Sequence, residues 1–143
     1  MSEYVYINAQ NVASNQNALL NDSIPCNRGY IVHRNGSGIL TIRGIVNNPC
    51  AKFARYQVTA CGNIAVPDGG TVGEISVSLA IDGEPLQASE AIVTPAAVEE
   101  FFNVTSTAFV TVPVGCCYTV ALENTSTEEI TIQNLNVVVQ RVA

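Results

Sequence analysis

The one histidine, His33, sits beside Arg34 and ahead of Asn35-Gly36, and no serine or cysteine is tied to it by a motif. General-base work needs a partner whose proton the imidazole can take, so His33 is expected to be a structural or surface residue. The five cysteines, Cys26, Cys50, Cys61, Cys116 and Cys117, include no CxxC spacing. Zinc needs convergent pairs, whereas the vicinal Cys116 and Cys117 point to opposite faces of a strand. Reduced packing thiols are the expectation, with a Cys26–Cys50 link between two loops as the alternative. The adjacent pairs Glu99-Glu100 and Glu128-Glu129 split between faces in the same way, which denies them the geometry of a two-carboxylate glycosidase site. Asp68 and Asp82-Gly83-Glu84 carry oxygen ligands suited to calcium, but turn chemistry already accounts for both. Asp68-Gly69-Gly70 leads into a strand rather than a helix, so it cannot cradle a phosphate. Asn35-Gly36-Ser37, Asn103-Val104-Thr105 and Asn124-Thr125-Ser126 fit the glycosylation sequon, which without a secretory signal is a coincidence of Asn/Thr-rich sequence. No residue therefore earns a catalytic, cofactor-binding or metal-binding role, and the chain does not read as an enzyme.

The elements that carry these residues alternate with period two. In residues 74–93, Ile75, Val77, Leu79 and Ile81 face one way and Glu74, Ser76, Ser78 and Ala80 the other, the pattern of a strand with one buried face. Asp82-Gly83 supplies the two positive-φ positions of a type I′ turn. A two-residue turn sets Leu79 opposite Leu86 and Val77 opposite Ala88. Ile75 would then meet Glu90, which predicts a bulge near Ser89-Glu90. Residues 54–66 place Tyr56, Val58, Ala60, Ile64 and Val66 on one face, and residues 102–112 do the same with Phe102, Val104, Ala108, Val110 and Val112. Tyr118, Val120 and Leu122 alternate in residues 116–122. The last strand changes phase between Ile132 and Leu135, implying a second bulge near Gln133-Asn134. Shorter strands are expected at residues 4–7, 30–33 and 39–45, with polar stretches at 8–17 and 21–29. Residues 95–100 offer one helical turn at most. About ten strands with turn signals every 8–15 residues make one all-β sandwich or barrel over residues 1–143.

Charged residues are 13% of the chain, about half the usual share of roughly 25%. So few charges on so small a domain imply either a neutral Ser/Thr/Asn-rich surface or burial in an oligomer. The charge is also lopsided. Residues 1–62 carry five cations against two carboxylates, and residues 63–143 carry Arg141 against ten carboxylates. Such a surface repels phosphate and argues against nucleic-acid binding. The sharper reading of the same asymmetry is a basic patch that docks on an acidic neighbour. No run approaches the ~20 apolar residues of a membrane span. MSEYVYINAQ is not a Sec-type signal, so synthesis in the cytoplasm is expected.

Several segments taken in order carry a family resemblance: Gly29-Tyr30-Ile31-Val32-His33, the turn Asn35-Gly36-Ser37-Gly38, Ala54-Arg55-Tyr56-Gln57-Val58, Val77-Ser78-Leu79-Ala80-Ile81-Asp82-Gly83, Val114-Gly115-Cys116-Cys117-Tyr118-Thr119-Val120 and the terminal strand. Together they resemble the antiparallel jelly-roll heads of the complement globular head and tumour necrosis factor family, in particular its bacterial and bacteriophage versions. Residues 96–124 also resemble prophage proteins of gut bacteria. The resemblance implies a homotrimer with inner sheets packed around a threefold axis. On that reading the neutral outward positions Gln57, Thr59, Cys61, Thr119 and Ala121 line the axis. Phe101 and Phe109, opposite in phase to Phe102 and Val110, reach a neighbouring subunit. It further implies a structural trimeric head, a decoration or fibre-head protein located in the virion and docked on a major capsid or other virion protein. The alternative is a lectin-like or adhesin module binding glycans at a bacterial or spore surface. No cofactor is implied by either.

Overall fold

Alternating side chains become two facing layers in the computed structural model, which describes residues 2–22 and 29–143. Twelve strands are found there: β1 (Ser2–Tyr6), β2 (Gln10–Val12), β3 (Asn21–Asp22), β4 (Ile31–His33), β5 (Leu40–Arg43), β6 (Phe53–Ala65), β7 (Ile75–Ile81), β8 (Glu84–Pro85), β9 (Ala91–Val93), β10 (Phe102–Pro113), β11 (Cys117–Asn124) and β12 (Ile130–Arg141). The first sheet runs β10-β6-β12-β1-β3, with β2 also on β12, and the second runs β4-β5-β11-β7-β8, with β9 also on β7. Every pairing among these strands is antiparallel. From β5 onward the chain changes sheet at each long connection, which is jelly-roll order.

The inward phases are those the alternation predicts, except at Phe102, which opens β10 at the end of the sandwich, beyond the core, and is exposed. Tyr56, Val58, Ala60 and Ile64 of β6 meet Ile75, Val77 and Leu79 of β7 and Val120 and Leu122 of β11 in one core. The phase change in β12 is real: its register on β6 jumps between Gln133 and Asn136, and Asn134 takes φ 55°. An extra residue there keeps Ile132 and Leu135 both inward.

The central hairpin departs from expectation in two ways. Asp82 and Gly83 have φ 52° and 83° as the turn requires, and Leu86 N–H donates to Leu79 O. Beyond that point Val77 faces Ala91, and Ile75 faces Val93. The offset is not a bulge at Ser89-Glu90 but a 3-10 turn, Gln87–Ser89. The Ser89 hydroxyl accepts from Leu79 N–H at 3.0 Å and donates to Leu86 O at 2.7 Å, standing in for the interrupted ladder. Second, β7 is not buried on one face only: Ser76, Ser78 and Ala80 are as enclosed as Ile75, Val77 and Leu79. The polar stretches at 8–17 and 21–29 also hold short strands, β2 and β3, that alternation does not reveal.

Two loop-bearing poles close the sandwich along the strand axis. At the crossover pole, residues 44–52 and 114–116 pass between the sheets side by side. Gly44 N–H donates to Cys116 O, Gly115 N–H to Gly44 O, and Val114 N–H to Lys52 O. Any Cβ at Gly44 would run into the Pro113 carbonyl, so glycine is required there. The opposite pole carries residues 66–74, 94–101 and 125–129.

Candidate functional site

The outward face of the first sheet is built by the phase that alternation leaves over. Its rows cross four strands: Phe109–Gln57–Gln140, Thr107–Thr59–Val138–Glu3, Thr105–Cys61–Asn136–Val5, and Asn103–Asn63–Gln133. Only Glu3 is charged among them, with Arg55 bordering the first row. A few of these side chains pair with one another. Thr107 Oγ1 donates to Val58 O at 3.2 Å, so Thr59 is the donor in the 3.0 Å contact between the two threonine hydroxyls. Asn103 Nδ2 donates to Asn63 Oδ1 at 3.1 Å. Phe109 is 54% exposed with the Arg55 guanidinium 4.8 Å from its ring centre.

The structure divides the seven predicted interface residues. Gln57, Thr59, Cys61 and Phe109 share the face just described. Phe101 precedes β10 at the opposite pole, exposed. Thr119 and Ala121 lie on β11, in the second sheet, with side chains on its outward face and thus on the other side of the sandwich. Parity gives a residue's phase, but not which sheet its strand joins. For the same reason alternation alone does not single out Val138, Asn136, Gln140, Thr107 and Val5, which join the face only through the order β10-β6-β12-β1.

The other candidate residues fall into structural settings. His33 is buried, its Nε2 2.8 Å from Ser37 O and its ring centre 4.6 Å from that of Tyr4. Asp82 Oδ1 accepts from Thr119 N–H at 2.8 Å, closing the turn onto β11. Asn124 is buried and donates to Val12 O and Glu128 O while accepting from Ser126 N–H. Three thiols correct the packing expectation: Cys50, Cys116 and Cys117 are exposed, and Cys61 is half-buried on the sheet face. They lie in or beside the pole crossovers, where turn geometry leaves no core for them to enter. Cys26, and with it the Cys26–Cys50 link, lies outside the described residues. Among the described residues no cluster of three or more His, Cys, Asp or Glu side chains is placed to hold a metal ion.

Among the described residues, three concave features stand out. A hollow of about 440 Å³ at the β7–β8 turn is lined by Ile81, Asp82, Glu84, Pro85, Leu86 and Tyr118. A cleft of about 410 Å³ at the opposite pole includes Thr71, Glu74, Ser76, Glu90, Thr125 and Glu128. Within it Thr125 Oγ1 lies 2.7 Å from Ser76 Oγ and donates to Glu90 at 3.3 Å. Beside it Asp68, Glu128 and Glu129 border a hollow of about 270 Å³. Glu123, directly opposite Ser78 in the second sheet, has its Oε2 buried with no hydrogen-bond partner, as is the Ser78 hydroxyl. Burial pushes the Glu123 carboxyl above its ordinary value.

This is an antiparallel jelly-roll domain without an assembled catalytic set among the described residues. No family model matches the chain, and no curated protein matches it. Among solved structures it is similar to the C-terminal domain of EclA, a sugar-binding protein, at 16% identity and TM-score 0.45, covering 93% of this chain and 79% of that one. It is also similar to the globular domain of zebrafish complement 1qA, at 8% identity and TM-score 0.48, covering 96% of each chain. A third similarity is to the CBM35 domain of Cellvibrio japonicus Abf62, at 17% identity and TM-score 0.34, covering 95% of this chain and 99% of that one. These scores are low; the chain's own strand order and register define its class. No helix among the described residues is long and apolar enough to cross a membrane.

Proposed function

We propose that this chain is a non-catalytic binding head that works as a homotrimer, packed through the outward face of the β10-β6-β12-β1 sheet, in the manner of a lectin-like or adhesin module. The observation that carries the reading is the character of that face: four strands wide and neutral but for Glu3, with Arg55 at its border. Burying it against a copy strands almost no charge, which removes one large cost of association, and leaves the Gln57, Gln133, Asn136 and Gln140 amides to pair across the contact. A monomer would instead leave Phe109 and Val138 on a surface with little charge to keep it apart from others.

Ligand capture falls to the hollow at the β7–β8 turn. The Tyr118 ring supplies an apolar wall, and the Asp82 and Glu84 carboxylates supply acceptors for hydroxyl groups, the mixture a neutral glycan requires. Three such sites acting together turn a weak single contact into useful avidity. A decoration or fibre-head role on a bacteriophage capsid would use the same trimer. No feature described above speaks for a virion, so the glycan-binding reading is the one put forward.

Light scattering in about 0.3 M salt, where long-range charge effects are screened, is expected to give three times the chain mass, and a glycan array to give hits weakened by Glu84→Gln. A monodisperse monomer overturns the trimer. A trimer with no array hits overturns the ligand reading alone.

A further inference from the structure

We propose that copies of this chain also stack end to end, the crossover pole of one seated on the opposite pole of the next. The lopsided charge of the sequence is a polarity along the strand axis. Arg43 ends β5, Lys52 lies in the 44–52 crossover, Arg55 is the third residue of β6 and Arg141 ends β12, which brings four of the chain's six cations to the crossover pole. The peptide groups tie them together: Arg43 faces Cys117 at the start of β11, and Val142 N–H donates to Arg55 O. At the opposite pole stand Asp68, Glu74, Glu90, Glu99, Glu100, Glu128 and Glu129, all exposed. Glu74, Glu90, Glu128 and Glu129 line one cleft, Asp68 borders the next, and Glu99 N–H is bonded to Val66 O in the loop beside them.

The counter-charges do not cancel this polarity. Asp82 and Glu84 share the crossover pole but belong to the β7–β8 turn, on the far side of β11 from Arg43, and Asp82 is engaged by Thr119. Arg34 is on the β4–β5 turn, at the edge of its sheet remote from β9 and the acidic cleft.

Each pole also mixes its charge with exposed apolar groups. Phe53, Val114 and Val142 flank the cations, and Val72, Val98, Phe101 and Phe102 flank the carboxylates. Aromatic and apolar anchors ringed by charge are the composition of an interface, with the charges setting partner and register. The chain carries both halves of a complementary pair, so a second copy is the partner that fits. The two surfaces are different and face opposite ways, so the contact is head to tail and does not close on itself. It shares with the sheet face only Arg55 at the border and does not involve the threefold axis, so it stands whether or not the side-by-side trimer forms.

Sedimentation velocity tests it on the full chain. In about 0.02 M salt the wild type is expected to grow in size with concentration. Raising the salt to about 0.3 M is expected to weaken that growth roughly tenfold or more, as the screening length shrinks. Arg43→Glu/Lys52→Glu leaves both poles acidic, and Glu99→Lys/Glu100→Lys/Glu128→Lys/Glu129→Lys, with only Asp68, Glu74 and Glu90 left against four lysines, makes both poles basic. Each variant alone is expected to stay at its high-salt size, and an equal mixture of the two to associate again in low salt. Restored association in the mixture also shows that both variants are folded. Two results overturn the stacking: a wild type whose size is the same at both salt concentrations, or a mixture that fails to associate while its components keep the wild-type far-ultraviolet spectrum. A monomer baseline in high salt would count against the trimer and leave the stacking intact.

Discussion

Glu123 is the residue least at ease in this fold. It is 8% exposed on an outward sheet face, with one carboxylate oxygen enclosed and unbonded, and the Ser78 hydroxyl across the ladder is in the same state. Desolvation disfavours the charged form and raises its pKa from the ordinary 4.5. A carboxyl that holds its proton more tightly when folded stabilises the protein below the unfolded value. That contribution is lost as pH rises through the folded one. Glu123→Gln is therefore expected to match the wild type in stability below about pH 4.5 and to exceed it at neutral pH, a gap that chemical denaturation at several pH values would measure. Equal stabilities at pH 7 would show that the carboxylate finds compensation in solution. Ser78→Ala is expected to be neutral or to gain up to about 1 kcal/mol, because it removes an enclosed hydroxyl that bonds to nothing. Tyr56 makes the contrast. It is also buried and its pKa is also raised by burial, but its hydroxyl donates to Arg43 O at 2.7 Å, so Tyr56→Phe is expected to cost roughly 1 kcal/mol.

Between β8 and β9 a single side chain replaces the ladder. Ser89 receives the Leu79 N–H and returns a bond to Leu86 O, which lets the chain make its 3-10 turn and rejoin β7 with Ala91 and Val93 inward. Ser89→Ala leaves the Leu79 amide buried and unmet. The expected loss is about 1–3 kcal/mol, seen as a lower denaturant midpoint with faster hydrogen exchange at the amides of β8 and β9. A loss confined to a few tenths would mean that water enters and takes over the bond. This turn also marks the limit of what alternation can tell. The offset in phase was legible from Glu90 falling where an apolar residue was due, but a bulge and a 3-10 turn both absorb it, and only the hydroxyl's partners separate them. β6 and β10 were legible because each presents four or more apolar residues in one phase, and β11 and β12 because each carries an unbroken run of three, Tyr118, Val120 and Leu122 in one and Leu135, Val137 and Val139 in the other. β2 and β3 were not, being held by backbone pairing to β12 and β1 rather than by a buried side-chain pattern. The doubly buried β7 escaped for a related reason: serine and alanine fit an enclosed face as well as an open one.

At the scale of the whole molecule, the sequence disclosed that charge was scarce and uneven but not where the neutral surface lay. Gln57, Thr59 and Cys61 were correctly assigned an outward phase, yet Thr119 and Ala121, in the same phase of their own strand, belong to the other sheet. Strand partnership is decided by connections at the poles that carry no periodic signal. With the order known, the proposed trimer face has a built-in reporter. Cys61 stands in its middle, between Thr105 and Asn136, while Cys50, Cys116 and Cys117 are exposed near the crossover pole. If the face is covered by sister subunits, a maleimide should modify those three quickly and Cys61 only on the timescale of subunit exchange. Thr59→Arg places a charge beside Val138 at the centre of the face, with no acidic neighbour nearer than Glu3. Enclosing that charge without a partner would cost several kcal/mol, whereas on a solvent-facing sheet the long side chain lies in water at little cost. The variant is therefore expected to be a folded monomer in which Cys61 reacts as fast as Cys50. A Thr59→Arg protein that keeps the wild-type mass and the wild-type protection of Cys61 would show that the oligomer forms through some other surface.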